Sequence, residues 1–408
     1  MAATPIYMDN QATTRMDPRV VETMLPYFTE KYGNAGSVSH PFGWEAKDAV
    51  DAATMAVAKS IGASVREVVF TSGATEANNL AIRGVVERVN RKGNHIVSVA
   101  TEHKAVLDPL KRLGRRDFEV TLLPVTSRES DVPGLITATQ VADAIRDDTV
   151  LVSVMLANNE IGVIEPLAEI GRVCKERGVL LHCDAAQAVG KIPVDVEALQ
   201  VDLLSFSGHK IYGPRGTGVL YVRRRNPSVR MEPQIVGGGQ QDGRRSGTLD
   251  VPSIVGLAKA LELCLEEMPA EMTRLAQLRY RLFAGLTSEL SEVVLNGPAL
   301  DLGQGGAGGE VSTLQRLPGN LSASFAYVDG EALMMSMGSL AVSSGSACTS
   351  ANPEPSHVLR AIGLSDDEVR SSLRFGLGRF NTEDDVDAAI GMVAEAVTRL
   401  RKMSSLSS

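Results

Sequence analysis

Aromatic side chains are scarce in this chain, 4% of 408 residues with a single Trp, while 44% are hydrophobic, so its core must be mainly aliphatic. Cysteine is scarcer still. The four, at positions 174, 183, 264 and 348, form no CxxC pair and no metal-ligand spacing, which argues against a disulfide framework and against a metal site. No apolar run approaches membrane-spanning length, and Met1-Ala-Ala-Thr-Pro5 lacks the basic and apolar regions of a secretion signal. The expectation is a soluble, cytoplasmic protein with no membrane partner. Excess positive charge is also missing: a net charge of −8 and a pI near 5.4 argue against direct nucleic-acid binding. The one basic run, Arg223-Arg-Arg225 with Arg230, reads as a solvated strand end rather than a docking patch.

What is present is an α/β pattern long enough for about two domains. Apolar runs at 68–70, 95–100, 120–125, 150–156, 179–182 and 203–206 alternate with helical periodicities such as 167–177, which predicts a doubly wound, mostly parallel sheet with crossover helices. Residues 218–222 follow as an antiparallel strand. A long helix is expected over 252–290, then strands at 324–328 and 341–343 and a last helix over 383–400. The division expected is a large domain at 15–260 and a smaller α+β domain made of 1–14 and 261–408, with the active site between them.

Four segments carry chemistry. Ser205-Phe-Ser-Gly-His-Lys-Ile-Tyr-Gly-Pro-Arg-Gly-Thr-Gly218 holds Lys210 between a polar approach and a glycine-rich exit. A lysine that condenses with an aldehyde needs some neutral amine, which burial and a neighbouring cation such as His209 would supply. A lone lysine in such a loop is ordinarily a solvated one, but partners exist. Leu180-Leu-His-Cys-Asp-Ala-Ala-Gln187 reads as a buried strand ending in an acid, and a carboxylate there can keep a pyridinium nitrogen protonated. His182, two residues before Asp184, shares its face and would buttress the carboxylate or simply pack. Glu67 to Leu80 reads as strand, small-residue turn and helix from about Thr75. That turn suits a phosphate, with Thr75, Ser207 and His209 completing a cup. Lysine, acid and cup together describe pyridoxal phosphate. Last, Ala341-Val-Ser-Ser-Gly-Ser-Ala-Cys-Thr-Ser-Ala-Asn-Pro353 puts Cys348 on small polar residues, where a thiol has the reach of a nucleophile. Cys264, inside Leu261-Glu-Leu-Cys-Leu265, reads as a packed structural thiol.

Taken in order, from Tyr7-Met-Asp-Asn-Gln-Ala-Thr-Thr14 to Ser371-Ser-Leu-Arg-Phe-Gly-Leu-Gly-Arg-Phe380, these segments resemble the cysteine desulfurases of the IscS/NifS type, class V aminotransferase-like enzymes of fold type I. The resemblance covers nearly the whole chain. It implies a large domain of the aspartate aminotransferase type and gives Lys210 the covalent attachment of pyridoxal 5'-phosphate. It implies His103, in Thr101-Glu-His-Lys104, as ring-stacking acid and base. Asp184 would meet the pyridine nitrogen, Gln187 the ring hydroxyl, and Thr75, Ser207 and His209 the phosphate. Thr248, in Arg245-Ser-Gly-Thr248, would reach the phosphate of the other subunit in a homodimer. Asn159 and Arg374 would hold the carboxylate of L-cysteine. Cys348 would take the sulfur as a persulfide, releasing alanine, and pass it to an acceptor protein such as an iron–sulfur scaffold or sulfur carrier. On that path Cys348 could touch a nascent iron–sulfur cluster.

Departures and alternatives accompany the resemblance. Leu302 to Gly309 is a Gly-rich insertion, the C-terminal Arg399 to Ser408 stops short of the tail usual in members that dock a scaffold, and Gln241-Asp-Gly-Arg244 replaces the family's usual acid and base before the Thr248 loop. A selenocysteine/cysteine lyase or an aminotransferase on the same scaffold would need Lys210, Asp184 and the carboxylate clamp but not Cys348. A nicotinamide dehydrogenase built on the 71–75 turn lacks the Gly-x-Gly-x-x-Gly fingerprint, and a non-catalytic carrier leaves the cofactor residues without a role.

Overall fold

Seven short strands, most of them fully buried, form one sheet in the computed structural model, which describes residues 5–89, 93–300, 314–344 and 355–403. In spatial order they are Val68–Thr71, Gly218–Val222, Leu203–Ser207, Leu180–Asp184, Thr149–Ser153, His95–Val99 and Glu119–Leu123. Pairing is parallel from Leu203–Ser207 across to Glu119–Leu123, and Gly218–Val222 runs against both of its neighbours. This is the predicted α/β architecture. A sheet covered by helices on both faces needs strands that are apolar on both faces. Thr149–Ser153 and Leu203–Ser207 are accordingly buried at every position, while Glu119–Leu123, at the sheet edge, exposes Glu119 and Leu122.

The helices show how the sequence sets its own limits. Leu167–Arg177 buries Leu167, Ile170, Gly171 and Cys174, one stripe at helical spacing, and stops where Gly178 turns left-handed at φ +67°. Its bounds are those the periodicity predicts. Val251–Glu289 starts at Asp250, whose side chain accepts from Ser253 N at 3.3 Å. Its first half, through Cys264, packs in the core of the large sheet. Its second half, from Leu275 to Leu286, packs in another core with the helix Glu383–Met403 and a four-stranded sheet.

That second sheet is antiparallel, in the order Ser343–Ser344, Ser372–Gly376, Asn320–Phe325 and Val293–Leu295. The strand expected at 324–328 instead occupies Asn320–Phe325. Its polar members Ser322 and Ser324 are buried and hydrogen-bonded to Asn296 and Ser372, a pattern that an apolar-run reading passes over. The chain start joins this region as well, with Ile6–Tyr7 paired in parallel to Leu340–Ala341 and Asp9 bridged to Gly376.

Candidate active site

The segments carrying Lys210, Asp184, Thr75 and His103 leave the large sheet at the C-terminal end of a strand, where open α/β sheets place their ligands, and Arg374 comes to the same place from the second sheet. A cavity of about 730 Å³ opens there. Lys210, His103, Thr75, Asp184, Gln187, Ser207, His209, Asn159 and Arg374 all line it. Thr248 is exposed and does not line it, and Cys348 and the 302–309 insertion lie outside the described residues.

Lys210 follows the end of Leu203–Ser207 in a single 3-10 turn, Gly208–Lys210. Its Nζ donates to the backbone carbonyls of Gln11 and, at 2.7 Å, Ala12. Burial, aided by the Arg374 guanidinium, pulls its pKa down to about 8 from the ordinary 10.5, against the opposing pull of Asp9 and Asp184. The helping cation is thus Arg374 and not His209. Burial together with Lys210 and Arg215 drops His209 itself to about 4, so its ring is neutral at pH 7, and Nδ1 sits 3.1 Å from Thr13 Oγ1.

Asp184, the last residue of its strand, is buried and anchored by two donors, Ala186 N at 2.9 Å and Asn78 Nδ2 at 2.6 Å. His182 is not its buttress. That ring is fully buried between Ser153 Oγ at 2.9 Å and Ser205 Oγ at 3.1 Å, and burial holds its pKa near 4. Asn78 was missed in the sequence, although it lies three residues after Thr75, where the helix Ala74–Val89 turns toward the sheet. Beside Asp184, burial and the Asp184 charge push the Glu102 carboxyl well above its ordinary value, and Met155 N donates to it.

His103 caps the helix Lys104–Leu113, its Nδ1 accepting from Ala105 N at 3.0 Å. Its ring meets the solvent of the cleft, yet the protein around it, with Lys210 and His357 opposing Asp184, keeps its pKa below the usual imidazole value. His357, which no motif marked, also lines the cleft and donates from Nε2 to Glu102 O at 2.9 Å.

Arg374, in the middle of Ser372–Gly376, bonds Asp9 Oδ1 at 2.7 Å, Ser343 Oγ at 2.9 Å and Asn159 O at 3.2 Å. Sequence reading gave Asp9 no role. The phosphate-type turn has its own supports. Gly73 sits at φ +147°, and a Cβ on Gly218 would lie 2.6 Å from Gly73 Cα, so these two backbones can meet only as glycines. Glu76 accepts from Ser72 N at 2.8 Å and pairs with Arg245 Nε at 2.8 Å, which ties the Thr248 loop to the turn. The replaced residue Gln241 closes the same loop onto the free edge of Val68–Thr71, accepting from Phe70 N at 2.6 Å and donating to Phe70 O at 2.9 Å.

Known proteins match this chain along nearly its whole length. The aminotransferase class-V family model covers residues 6–389. "Cysteine desulfurase IscS" of Anaeromyxobacter dehalogenans is 56% identical over 402 residues, 98% of this chain and 95% of that protein. Among solved structures, a NifS-like protein superposes with a TM-score of 0.86 at 36% identity, covering 97% of this chain and 100% of that one. Another, described as SspA in complex with cysteine, gives 0.77 at 34% identity over 92% of this chain and 99% of that one. The chain belongs to the class-V aminotransferase family and, within it, to the cysteine desulfurases of the IscS/NifS type.

Proposed function

We propose that this chain is a pyridoxal-phosphate-dependent cysteine desulfurase. It converts L-cysteine to L-alanine, holds the sulfur as a persulfide on Cys348 and passes it to an acceptor protein for iron–sulfur cluster assembly or another sulfur-transfer pathway. One observation carries the reading: an amine with a pKa near 8, an anchored carboxylate and a guanidinium share one cavity at the strand ends. The SspA structure, described as holding cysteine, supports cysteine as the occupant.

The residues fit the cofactor. Lys210 would hold it, the anchored Asp184 carboxylate would pair with its ring nitrogen, and Gln187 would face its ring oxygen. The turn between Val68–Thr71 and Ala74–Val89, shaped by Gly73 and Gly218, would take the phosphate with Thr75, Ser207 and His209. When bound, pyridoxal phosphate supplies an electron sink for the carbon that carries the substrate amine.

The chain's own groups do the rest. With a pKa near 8, about a tenth of Lys210 is neutral at pH 7, enough to attack an aldehyde. Arg374, with Asn159 beside it, binds the substrate carboxylate by exchanging Asp9 for it, so its charge always faces a carboxylate. His103 has Nδ1 committed to Ala105 N, so the neutral ring meets a ligand as Nε2–H and gains a proton only by releasing that cap. The Cys348 thiolate forms the S–S bond to the substrate sulfur while the C–S bond breaks with its pair left on carbon, and a proton at that carbon completes alanine.

A homodimer in the cytoplasm completes the proposal. Thr248, exposed on a loop tied to the phosphate turn, would serve a second subunit, and Leu25, Phe28, Tyr32, Phe42 and Trp44 are exposed apolar residues that such a subunit would bury. The test measures sulfide and alanine from the loaded enzyme with cysteine and a thiol reductant. Equal amounts from wild type and neither from C348A support the desulfurase. Products persisting in C348A would transfer the reading to the lyase, and a protein that takes up no cofactor would end it.

A further inference from the structure

Gln187 is held from two sides. Its Nε2 donates to Gln11 O at 2.8 Å, and its Oε1 accepts from Lys191 Nζ at 2.6 Å. A side-chain amide can swap its ends, but here both partners forbid it, since the Gln11 carbonyl can only accept and an ammonium can only donate. The second N–H of Gln187 is therefore the group left for a ligand. Gln11 O also accepts from Lys210 Nζ, so the amide and the reactive amine meet on one carbonyl.

Lys191 reaches this position from outside the cleft. It lines a separate, water-sized cavity of about 30 Å³ behind the wall, with Asn10, Gln11, Tyr212 and Glu271. Residues 185–192 form a tight helical turn, closed by Val189 N to Ala185 O at 3.0 Å and Ile192 N to Ala188 O at 3.0 Å, which puts Gln187 and Lys191 four apart on one side. Gly190 lets the turn close at φ +74°, where a Cβ would lie 2.7 Å from Ile211 Cγ2. A lysine drawn partly out of water in this way costs stability unless it is employed.

We propose that Lys191 is a positioning residue that locks the Gln187 amide with its N–H toward the cofactor's ring oxygen. The inference rests on the pyridoxal phosphate reading. Its chemical sense is direct: an N–H aimed at that oxygen stabilises negative charge there, so the loaded cofactor loses its proton at a lower pH than it would beside an amide free to turn. The charges facing Lys191 are Lys210, Arg374 and Glu271, with the Cys264 thiol, and burial with Lys210 and Arg374 brings its own pKa down to about 7. The amine can donate to Oε1 in either protonation state, but only the ammonium is unable to accept, so the lock is firmest below that pKa.

The test is a pH titration of the visible absorbance of the cofactor-loaded protein, with no substrate present. K191M should move the midpoint up by about one pH unit, the scale of one hydrogen bond to a charged group. In a Q187A background the same substitution should add nothing, because there is no amide left to lock. Should K191M not fold, K191A in the same two backgrounds reads the same effect. A neutral variant that keeps the wild-type midpoint overturns the inference, and so does an equal shift with and without Gln187, which would make the ammonium's charge sufficient. Wild-type protein that takes no colour from added pyridoxal phosphate sinks the functional reading instead, a result distinct from both.

Discussion

The seven strands of the large sheet have two ends, and a cavity opens at each. The one at the C-terminal ends measures about 730 Å³; the one at the opposite ends, beside Thr149, Leu180, Asp202 and Arg223, measures about 1030 Å³ and is the more highly charged. Size and charge would favour the wrong one. At the opposite end the buried charges, Arg223 and Asp202, are spent on each other and on the backbone. Arg223 bonds Glu197 at 2.7 Å and Val201 O at 3.1 Å, Asp202 accepts from Leu181 N at 2.9 Å, and Arg146 is paired with Asp148 and Glu119. In the cleft, by contrast, Asn78 Oδ1 and Arg374 Nε are buried without a partner, and the Lys210 amine rests on two carbonyls. The Tyr221 hydroxyl near Arg223 also lacks a partner, so it is the buried guanidinium with an unspent N–H beside a reactive amine that marks the end that works.

The largest test of this contrast compares Lys210→Ala with Arg223→Met. Losing the amine should cost about 10³-fold or more in kcat of cofactor-supplemented enzyme, because it removes covalent chemistry outright. Losing Arg223 should leave kcat unchanged but lower stability by about 3 kcal/mol in denaturant unfolding, since Asp202 is left buried beside a missing cation. A fall in kcat with Arg223→Met would break the comparison.

Next in size is Arg374→Lys. A point charge cannot reproduce the planar fork, so KM for cysteine should rise about 10- to 100-fold. Asn78→Ala is smaller: it strips one of two anchors from Asp184, and cofactor retention should weaken about tenfold, read from colour lost on dialysis.

Cofactor-free enzyme offers a pH test of the same cleft. The folded Lys210 amine sheds its proton near 8, whereas in the unfolded chain it does so near 10.5. Between those values the unfolded state binds more protons, so stability rises with pH across the window. Lys210→Ala should flatten that rise in denaturation curves taken from pH 8 to 10.

The sequence was most legible where function and chain order coincide. Lys210 with Ser207 and His209 occupies one short segment, as Asp184 does with Gln187, and continuous apolar runs located the strands that carry them. Illegible were supports that exist only once the chain has closed. Asp9 reaches Arg374 across 365 positions, Asn78 reaches Asp184 across 106, and Gln241 pairs with Phe70 across 171. No local period encodes such a bond. The basic run misled for the same reason: read as a solvated strand end, its first member Arg223 is in fact only 8% exposed, because the turn carrying Val201 and Glu197 folds over it.

The smallest effect sharpens the difference between the ends. Burial raises the Asp202 carboxyl to about 6 from its ordinary 3.8, against the pull of Leu181 N and Arg223. Here the folded state binds the proton more tightly, so this group's contribution to stability is full below pH 3.8 and is lost as pH rises through 6. Asn has the shape of the acid without its titration. Asp202→Asn should therefore remove a downward slope of stability between pH 4 and 6, worth at most about 2–3 kcal/mol, and leave the pH profile of kcat untouched. A shifted kcat profile would mean that the two ends of the sheet are electrostatically coupled, and that the opposite cavity bears on the chemistry after all.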